Sequence, residues 1–418
     1  MKTGALDWRR AIDDAAERLA PVLARTPLQP SKRLSDLYGA RVLLKREDLQ
    51  EVRSFKIRGA YNKIARLTPE EAARGVVCAS AGNHAQGVAF ACAALGIRAT
   101  VFMPAVTPLQ KIERVQHFGK AGVAVHLVGD TYDDASQAAR EHCRVQGAVF
   151  VHPFDDPLTI AGQGTIAREL VEELGAAPDV VVAAVGGGGL ISGLASYLKA
   201  GGGATRLVGA EPAGAPSLTA ALRAGEVVYL EKIDTFVDGA AVKRVGELTF
   251  EVCRRHVDQV LLVPEGQVCT TLIDLYQNEG IIAEPAGALS VAALDALGED
   301  LRGRTVVCVL SGGNNDILRY PEIMERSLVH QGRKHYFIVE FAQKPGQLRK
   351  FVDRALGPTD DIVRFEYMKK TNKERGAALV GVELRDKADL APLLERMREA
   401  QLNCRQLSSE ELLYDYLI

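Results

Sequence analysis

The chain has 418 residues, of which 47% are hydrophobic and 25% charged, and its formal net charge is −2. This length exceeds one compact core and predicts two or three domains, while the near balance of charge argues against a nucleic-acid partner or an anionic membrane. Residues 1–10 lack the apolar segment of a signal peptide and no apolar run reaches about eighteen residues, so we expect a cytoplasmic protein without a membrane partner.

From residue 41 to residue 315, short apolar runs alternate with helical patterns. The runs are rich in β-branched residues and almost continuously apolar, as in parallel strands that are covered on both faces. Strands are predicted at 42–44, 76–79, 99–103, 123–128, 149–151, 180–185, 206–210, 260–263 and 305–310. Helices are predicted between them, among others at 85–95, 162–174 and 266–279.

This alternation predicts an α/β body with parallel sheets. We interpret residues 1–320 as one domain in which two sheets face a cleft. A small subdomain would cover about 41–150, and a large subdomain would cover 1–40 and 151–320.

The pattern changes near Pro321. Residues 321–334 are polar and charged, and they are predicted to be a linker. Beyond it we expect a strand, a helix, two strands, a helix and a strand, at 335–341, 347–356, 362–368, 377–384, 388–400 and near Cys404, with a hairpin turn at 372–376. This βαββαβ order is ferredoxin-like. Because residues 335–418 contain no cluster of nucleophiles, bases or metal ligands, we interpret them as regulatory or assembly-forming.

The seven cysteines and eight histidines give little support to disulfides or to a metal. The cysteines are widely spaced and none lies in a Cys-x-x-Cys pair, which favours free, buried thiols. The histidines form neither a His-x-x-x-His nor a His-Glu-x-x-His pattern, so no metal site is predicted.

The first motif is Ser-Phe-Lys-Ile-Arg-Gly-Ala at 54–60, where a loop enters a helix. Most lysines are solvated surface residues. Lys56, beside the aromatic Phe55 at the start of a helix, could instead bond an aldehyde cofactor through its amine.

The second motif is Ser-Ala-Gly-Asn-His at 80–84, between a strand and a helix. Its small residues leave backbone N–H groups exposed, and such a turn can hold a carboxylate. An ordinary strand-to-helix loop with a capping Ser or Asn fits equally well. The candidate substrate-binding residues are Ser80, Ala81, Gly82, Asn83 and His84.

The third motif is a run of four glycines, Gly186, Gly187, Gly188 and Gly189, before Leu190. Consecutive glycines are costly unless the backbone must approach a ligand closely, and a helix N-terminus favours phosphate. The run fits neither the dinucleotide fingerprint nor the nucleotide P-loop. It therefore favours the phosphate of a cofactor.

The fourth motif is Ser-Gly-Gly-Asn-Asn from Ser311, directly after a buried strand. Alone it is compatible with a plain turn. Together and in this order, the four motifs resemble those of the fold-type II pyridoxal-phosphate family, and within it the threonine and serine dehydratases. The resemblance covers about 27–319 and implies a tryptophan synthase beta-like fold with pyridoxal 5′-phosphate as cofactor.

The resemblance also implies roles for single residues. Lys56 would carry the cofactor on its amine and then act as the catalytic base. The residues expected to contact the cofactor are Phe55 near its ring, Asn83 at its 3′-oxygen, Gly186, Gly187, Gly188, Gly189 and Leu190 at its phosphate, and Ser311 at its pyridine nitrogen. The loop from Ser80 to His84 would hold the substrate carboxylate.

The C-terminal unit indicates the branch of the family. A dehydratase body followed by one ACT-like α+β domain resembles the biosynthetic threonine dehydratases. That resemblance implies conversion of L-threonine to 2-oxobutanoate and ammonia, the first step of isoleucine biosynthesis. It further implies feedback inhibition by L-isoleucine, commonly opposed by L-valine, in a homotetramer.

Three alternatives remain. The chain could be a serine dehydratase or serine racemase, although racemases of this family use a carboxylate-lined cation site, and Ser217, six residues after Glu211, stands where that pattern tends to have aspartate. It could be a non-catalytic amino-acid sensor, against which the intact Lys56, Ser311 and tetraglycine argue. The C-terminal unit could also be an oligomerisation module without a ligand.

Overall fold

A computed structural model describes residues 7–369, 373–408 and 417. Two compact units divide the chain. The first comprises Met1–Glu265 and Leu275–Asn315, and the second comprises Gly266–Asp274 and Asp316–Ile418.

The strands in the described part of the chain are, in order, β1 (Leu28–Pro30), β2 (Arg41–Arg46), β3 (Val76–Ala79), β4 (Ala99–Met103), β5 (Val123–Leu127), β6 (Val149–Phe150), β7 (Val180–Ala184), β8 (Arg206–Pro212), β9 (Gln259–Val263), β10 (Thr305–Leu310), β11 (Lys334–Ala342), β12 (Asp361–Tyr367), β13 (Arg375–Glu383) and β14 (Asn403–Gln406). All the strands predicted from the sequence are present, and only the short β1 was not predicted.

The α-helices described are α1 (Trp8–Leu19), α2 (Lys32–Tyr38), α3 (Lys56–Ile64), α4 (Pro69–Arg74), α5 (Asn83–Leu95), α6 (Leu109–Gly119), α7 (Tyr132–Gln146), α8 (Pro157–Leu174), α9 (Gly189–Leu198), α10 (Ser217–Ala224), α11 (Glu247–His256), α12 (Glu265–Glu279), α13 (Pro285–Ala292), α14 (Leu294–Leu297), α15 (Tyr320–His330), α16 (Gln347–Ala355) and α17 (Leu390–Glu399). None of the described helices has the length and apolarity needed to cross a membrane.

The larger sheet of the first unit has six strands in the order β1-β2-β10-β7-β8-β9. All its pairings are parallel except that of the edge strand β1 with β2. Strand β10 lies between β2 and β7 and is parallel to both. The segments that follow β7 and β10 therefore begin next to each other at the carboxyl ends of the strands. In open α/β sheets this edge is where ligands bind.

The smaller sheet of the first unit is entirely parallel and has the order β5-β4-β3-β6. The α/β prediction with two parallel sheets is confirmed. One detail of the predicted subdomains is wrong: residues 41–46 were assigned to the small subdomain, but β2 pairs with β10 along its whole length. An apolar strand carries no local signal of its sheet, so the assignment followed its position in the chain.

Helices α3, α8 and α9 pack in a row through close backbone contacts. A Cβ on Gly162 of α8 would lie 2.6 Å from the Arg58 carbonyl oxygen of α3, and a Cβ on Gly193 of α9 would lie 2.5 Å from the Gly164 nitrogen of α8. Only glycine leaves room for such an approach. Helix α8 itself begins at a clear signal, since the Asp156 side chain accepts hydrogen bonds from two N–H groups of its first turn.

The second unit contains an antiparallel four-stranded sheet of order β12-β13-β11-β14. Helices α16 and α17 complete the predicted βαββαβ order, and Phe337, Phe351, Leu393 and Met397 are fully buried in its core. The predicted hairpin joins β12 and β13, but residues 370–372, including the first residue of its predicted turn (Asn372), lie outside the described residues.

The segment 321–334, predicted as a linker, is largely helical, since α15 covers Tyr320–His330. Pro321 lies in its first turn, where proline is tolerated because the N–H it lacks would have no helical partner. Ile323 and Ser327 are buried on one face of the helix. The many charged residues suggested a loop, but they occupy the remaining faces of an amphipathic helix.

All seven cysteines lie in the described residues, and none forms a disulfide. Five are buried, whereas Cys143 and Cys404 are half-buried. Burial raises the pKa of the Cys92 and Cys253 thiols to about 12, so these side chains act as small apolar groups in the core.

Gly193→Ala tests the close packing of α8 and α9. The added methyl would meet the Gly164 nitrogen at 2.5 Å and the Ile160 carbonyl oxygen at 2.6 Å. Because these are backbone atoms, we expect the free energy of unfolding to fall by about 1–3 kcal/mol in urea titrations. Gly122→Ala is the control, since its Cβ would have only Ile97 O, at 3.9 Å, as a neighbour within 4 Å. Equal stability of the two variants would contradict the packing argument.

Candidate active site

Lys56 is the first residue of α3, and the residues before it are fixed to the segment that follows β10. Ser54 forms an antiparallel bridge with Gly312. The Phe55 N–H donates to the Ser311 carbonyl oxygen at 3.1 Å. The backbone at Lys56 is therefore held directly beside Ser311, which brings the first and fourth sequence motifs together.

The amine of Lys56 lies among polar groups with little access to water. Its Nζ donates to the Pro153 carbonyl oxygen at 2.9 Å and lies 5.3 Å from the centre of the Phe55 ring. Loss of hydration lowers the pKa of Lys56 to about 8, and the negative charge of Glu284 opposes this shift. Near neutral pH, part of the amine is therefore uncharged and can act as a nucleophile or a base.

The tetraglycine turn, Gly186 to Gly189, follows β7 and leads into α9. Gly188 has φ +90°, which other residues rarely adopt. Side chains in the turn would collide with Phe154, Thr249 or Ala240. Within the described residues, no hydrogen bond uses the N–H groups from Gly187 to Leu190. The turn therefore presents free donors at a helix N-terminus, an arrangement suited to a phosphate.

Phe154 connects this turn to Lys56. Its ring and backbone fill the space that side chains at Gly187 and Gly189 would need, and the preceding residue, Pro153, accepts the hydrogen bond from the Lys56 amine. The described hydrogen bonds include none that joins the turn directly to Lys56 or to Ser311. Phe154 and Pro153 therefore link the tetraglycine turn to Lys56, whereas Ser311 is joined to the Lys56 loop directly through the backbone of Phe55.

Ser311 follows β10 and is buried. Its hydroxyl donates to the Ala286 carbonyl oxygen at 3.2 Å. A hydroxyl has one proton and two lone pairs, so Ser311 can accept further hydrogen bonds and can donate to another acceptor by turning its proton away from Ala286.

Asn83, the first residue of α5, is held between two polar groups. Its Nδ2 donates to Glu284 Oε1 at 2.6 Å, and its Oδ1 accepts from Asn314 Nδ2 at 2.7 Å. The Glu284 N–H in turn donates to the Gly312 carbonyl oxygen at 3.1 Å. These contacts bring Asn83, from the smaller sheet, to the turn that contains Ser311, and they fix the orientation of its amide.

Glu284 is a site residue that sequence reasoning missed. Burial and the charge of Asp238 raise its pKa to about 7, against the opposing effects of the Asn83 hydrogen bond, the Lys111 charge and the Asn314 backbone. The available signal was a Glu-Pro pair at a helix start, Glu284 preceding Pro285 of α13. A Glu-Pro pair is typical of the start of a helix, and it does not predict that the carboxyl group is buried.

The loop 80–84 follows β3 and enters α5. The Ser80 hydroxyl accepts from the Gly82 N–H at 3.1 Å, which shapes the turn. A Cβ on Gly82 would meet no atom within 4 Å, so the loop is open on this side. In the described structure the N–H groups of Ala81, Asn83 and His84 make no hydrogen bond. The loop is able to bind a carboxylate through these donors.

His84 has a structural hydrogen bond and is not arranged for proton transfer. Its Nε2 lies 2.8 Å from the Val151 carbonyl oxygen, where it must donate. Burial, assisted by the charge of Lys56, lowers the pKa of His84 to about 3. The imidazole is therefore neutral and contributes its backbone N–H to the loop.

Glu211, considered above as a possible cation ligand, is engaged by the start of α10. Its carboxylate accepts from the Leu218 N–H at 2.6 Å and the Thr219 N–H at 3.0 Å, and the Ser217 hydroxyl lies at 3.4 Å. The carboxylate thus caps a helix, which occupies both of its oxygens.

Comparison with known proteins gives two family matches. Residues 19–312 match the family described as pyridoxal-phosphate dependent enzyme. Residues 325–417 match the C-terminal regulatory domain of threonine dehydratase.

Similar proteins extend over the whole chain. The L-threonine dehydratase biosynthetic IlvA of Bacillus subtilis is 52% identical over 418 residues, covering 100% of this chain and 99% of that protein. The protein of the same name from Mycobacterium tuberculosis H37Rv is 56% identical over 97% of this chain and 95% of its own length. Among solved structures, the processed threonine deaminase isoform 2 of Solanum lycopersicum is 38% identical with a TM-score of 0.73, covering 78% of this chain and 94% of its own. Maize serine racemase is 32% identical with a TM-score of 0.70, covering 77% and 98%.

Glu284→Gln tests the electrostatics of Lys56. The carboxylate raises the pKa of Lys56, so its neutralisation should move that pKa below about 8. In protein freed of any aldehyde cofactor, we expect the pH midpoint of Lys56 acylation, followed by peptide mass spectrometry, to shift downward. Glu172→Gln, a change at a carboxylate near the end of α8, should leave the midpoint in place. A wild-type midpoint near the ordinary lysine value would contradict the argument.

Proposed function

This chain belongs to the pyridoxal-phosphate-dependent enzyme family, and we propose that it converts L-threonine to 2-oxobutanoate and ammonia. Water is lost from Cβ in the first stage and is taken up again in the hydrolysis that releases ammonia, so the net loss is ammonia alone. The observation that carries the proposal is Lys56, whose amine has a pKa lowered to about 8 and donates to the Pro153 carbonyl oxygen, one residue before the Phe154 that packs against the tetraglycine turn. Full-length relatives named biosynthetic threonine dehydratases support the choice of substrate. The reaction is that of a threonine ammonia-lyase, the first step of isoleucine biosynthesis.

The residues present fit pyridoxal phosphate. The free N–H groups from Gly187 to Leu190 suit a phosphate, and a Cβ at any of the four glycines would meet protein atoms. Lys56 would carry the cofactor on its amine, with Phe55 near the ring. Asn83 would donate to the 3′-oxygen, and Ser311 would contact the ring nitrogen. Each of these assignments is part of the proposal.

When bound, pyridoxal phosphate supplies an aldehyde for the substrate amine and a ring that withdraws electrons from Cα. Lys56 would then take the α-proton as general base, for which a pKa of about 8 is well placed. Pro153 holds the amine by its carbonyl oxygen. Neither His84, with a pKa of about 3, nor any thiol with a raised pKa competes for this role.

The loop from Ser80 to His84 would orient the substrate. Its backbone donors can hold the α-carboxylate, which fixes the Cα–H bond toward Lys56. Asn83 belongs both to this loop and to the cofactor contacts, and its amide is held by Glu284 and Asn314. The proposed substrate-binding residues are Ser80, Ala81, Gly82, Asn83 and His84.

Serine dehydratase and serine racemase are the alternative functions that a specific observation favours, since maize serine racemase shares the fold at 32% identity. Two features support the threonine branch. Residues 325–417 match the regulatory domain of threonine dehydratase, and the Glu211 carboxylate is occupied by backbone donors of α10. Each Glu211 oxygen already accepts a backbone hydrogen bond, so this carboxylate has a structural role that needs no cation.

The second unit would supply regulation. Its βαββαβ architecture and its match to a regulatory domain support a small-molecule effector. We propose L-isoleucine, the product of the pathway, as inhibitor, with L-valine opposing it. We further propose a homotetramer in the cytoplasm. The proposed domain limits are 1–320 for the catalytic domain and 335–418 for the regulatory domain, joined by 321–334, most of which forms helix α15.

Lys56→Ala tests the catalytic role. Release of 2-oxobutanoate from L-threonine by the purified holoenzyme should fall by about 10²–10⁴-fold, the contribution typical of a positioned base. L-Serine, which lacks one methyl group, should be turned over about 10–200-fold less efficiently by the wild type. Undiminished activity of Lys56→Ala would exclude the proposed mechanism, and a preference for serine would favour the alternative.

Inhibition is tested separately with the full-length wild type. L-Isoleucine should suppress 2-oxobutanoate release from L-threonine, and added L-valine should restore part of it. L-Leucine serves as an isomeric control of the same size. Activity that does not change with isoleucine would be consistent with the proposed dehydratase reaction but would contradict the proposal that isoleucine is the effector.

A further inference from the structure

Arg58, two residues after Lys56, belongs to a cluster of four charged residues, of which three are buried and the fourth, Glu169, has a side chain 16% exposed. The Arg58 guanidinium donates to both oxygens of Glu47, at 2.7 and 2.8 Å, and to both oxygens of Glu169, at 2.6 and 3.0 Å. The Lys45 amine lies 2.6 Å from Glu169 and donates to the Thr26 carbonyl oxygen at 2.6 Å. Arg58, Lys45 and Glu47 are at most 1% exposed. We call these four residues the ion cluster.

Stability alone is a weak explanation for the ion cluster. Its two cations and two carboxylates cancel, but moving each of them out of water is costly, and well-packed apolar side chains often stabilise such a position as much. A guanidinium bonded to two carboxylates fixes the relative positions of the elements that carry them. Its planar fork fixes two carboxylates at once, which a lysine ammonium cannot do.

The ion cluster attaches α3 to the elements that hold the cofactor residues. Lys45 lies opposite Val309 in the pairing of β2 with β10, two residues before Ser311. Glu169 lies on α8, which packs closely against α9 through Gly193. Helix α9 begins in the tetraglycine turn. Arg58 is thus bound to the supports of both Ser311 and the phosphate turn.

The other side of α3 faces the smaller sheet. A Cβ on Gly87 of α5 would lie 3.2 Å from the Ile57 backbone. Ala60 and Ile64 belong to the apolar core around α5 and β3. Helix α3 therefore lies between the two sheets. The sheet to which α3 is bound more rigidly determines the position of Lys56.

We propose that Arg58 is a positioning residue that fixes Lys56 to the larger sheet, so that its amine keeps its place relative to Ser311 and the tetraglycine turn. The inference rests on the proposed attachment of the cofactor to Lys56. Arg58 touches neither substrate nor cofactor in this account. It acts only through the position of α3.

Arg58→Lys is the first test, because it retains the charge and loses the fork. We expect kcat with L-threonine to fall about 100-fold, the loss associated with a displacement of about 1 Å, while KM changes little because the carboxylate loop lies on the smaller sheet. The affinity of the apoprotein for pyridoxal phosphate should fall, and the pH midpoint of its visible absorbance should move. Glu169→Gln keeps nearly the same side-chain shape but removes the charge. It should change kcat, cofactor affinity and the absorbance midpoint in the same directions by smaller amounts.

Lys63→Met is the matched control. It removes the ion pair of Lys63 with Asp156, 2.7 Å apart, which also joins α3 to the start of α8 but lies at the far end of α3. It should lower the melting temperature without altering kcat, cofactor affinity or the absorbance midpoint. Arg58→Lys with the same pattern as Lys63→Met would reduce Arg58 to a structural role and overturn the inference. Absence of cofactor binding by the wild type would instead contradict the proposed function.

Discussion

The catalytic arrangement depends on how closely three helix backbones approach one another. Helices α3, α8 and α9 meet through Gly162 and Gly193, where any side chain would lie within about 2.6 Å of backbone atoms of the neighbouring helix. The first residue of α3 is Lys56 and the first residue of α9 belongs to the tetraglycine turn. The spacing of the helices therefore sets the distance between the Lys56 amine and the free N–H groups of the tetraglycine turn, which are proposed to bind phosphate.

Local signals in the sequence were sufficient to predict most of the strands and several residues of the candidate site. Continuous apolar runs indicated the parallel strands, and four adjacent glycines indicated a backbone that approaches a ligand. Lys56 could be singled out because an aromatic residue and a helix start surround it. These features are local, because each depends on residues that are neighbours in the chain.

What the sequence could not indicate depends on contacts between distant residues. Glu284 reaches Asn83 across 201 positions, and the Lys56 amine reaches Pro153 across 97. Strand β2 was assigned to the wrong sheet because its pairing with β10 has no local signature. The charged residues of 321–334 predict a linker, and only the packing of α15 shows that Ile323 and Ser327 are buried on one face of a helix.

The site draws its groups from two different sheets. Lys56 and Ser311 are attached to the larger sheet, and the loop 80–84 follows β3 of the smaller one. An amino acid bound as proposed would be held at its amino end by one sheet and at its carboxylate by the other. The bound amino acid would link the two sheets. Once one of its ends is bound, the effective concentration of the other end at its own binding groups is raised. An amine without the carboxylate would lose this chelate effect as well as one set of hydrogen bonds.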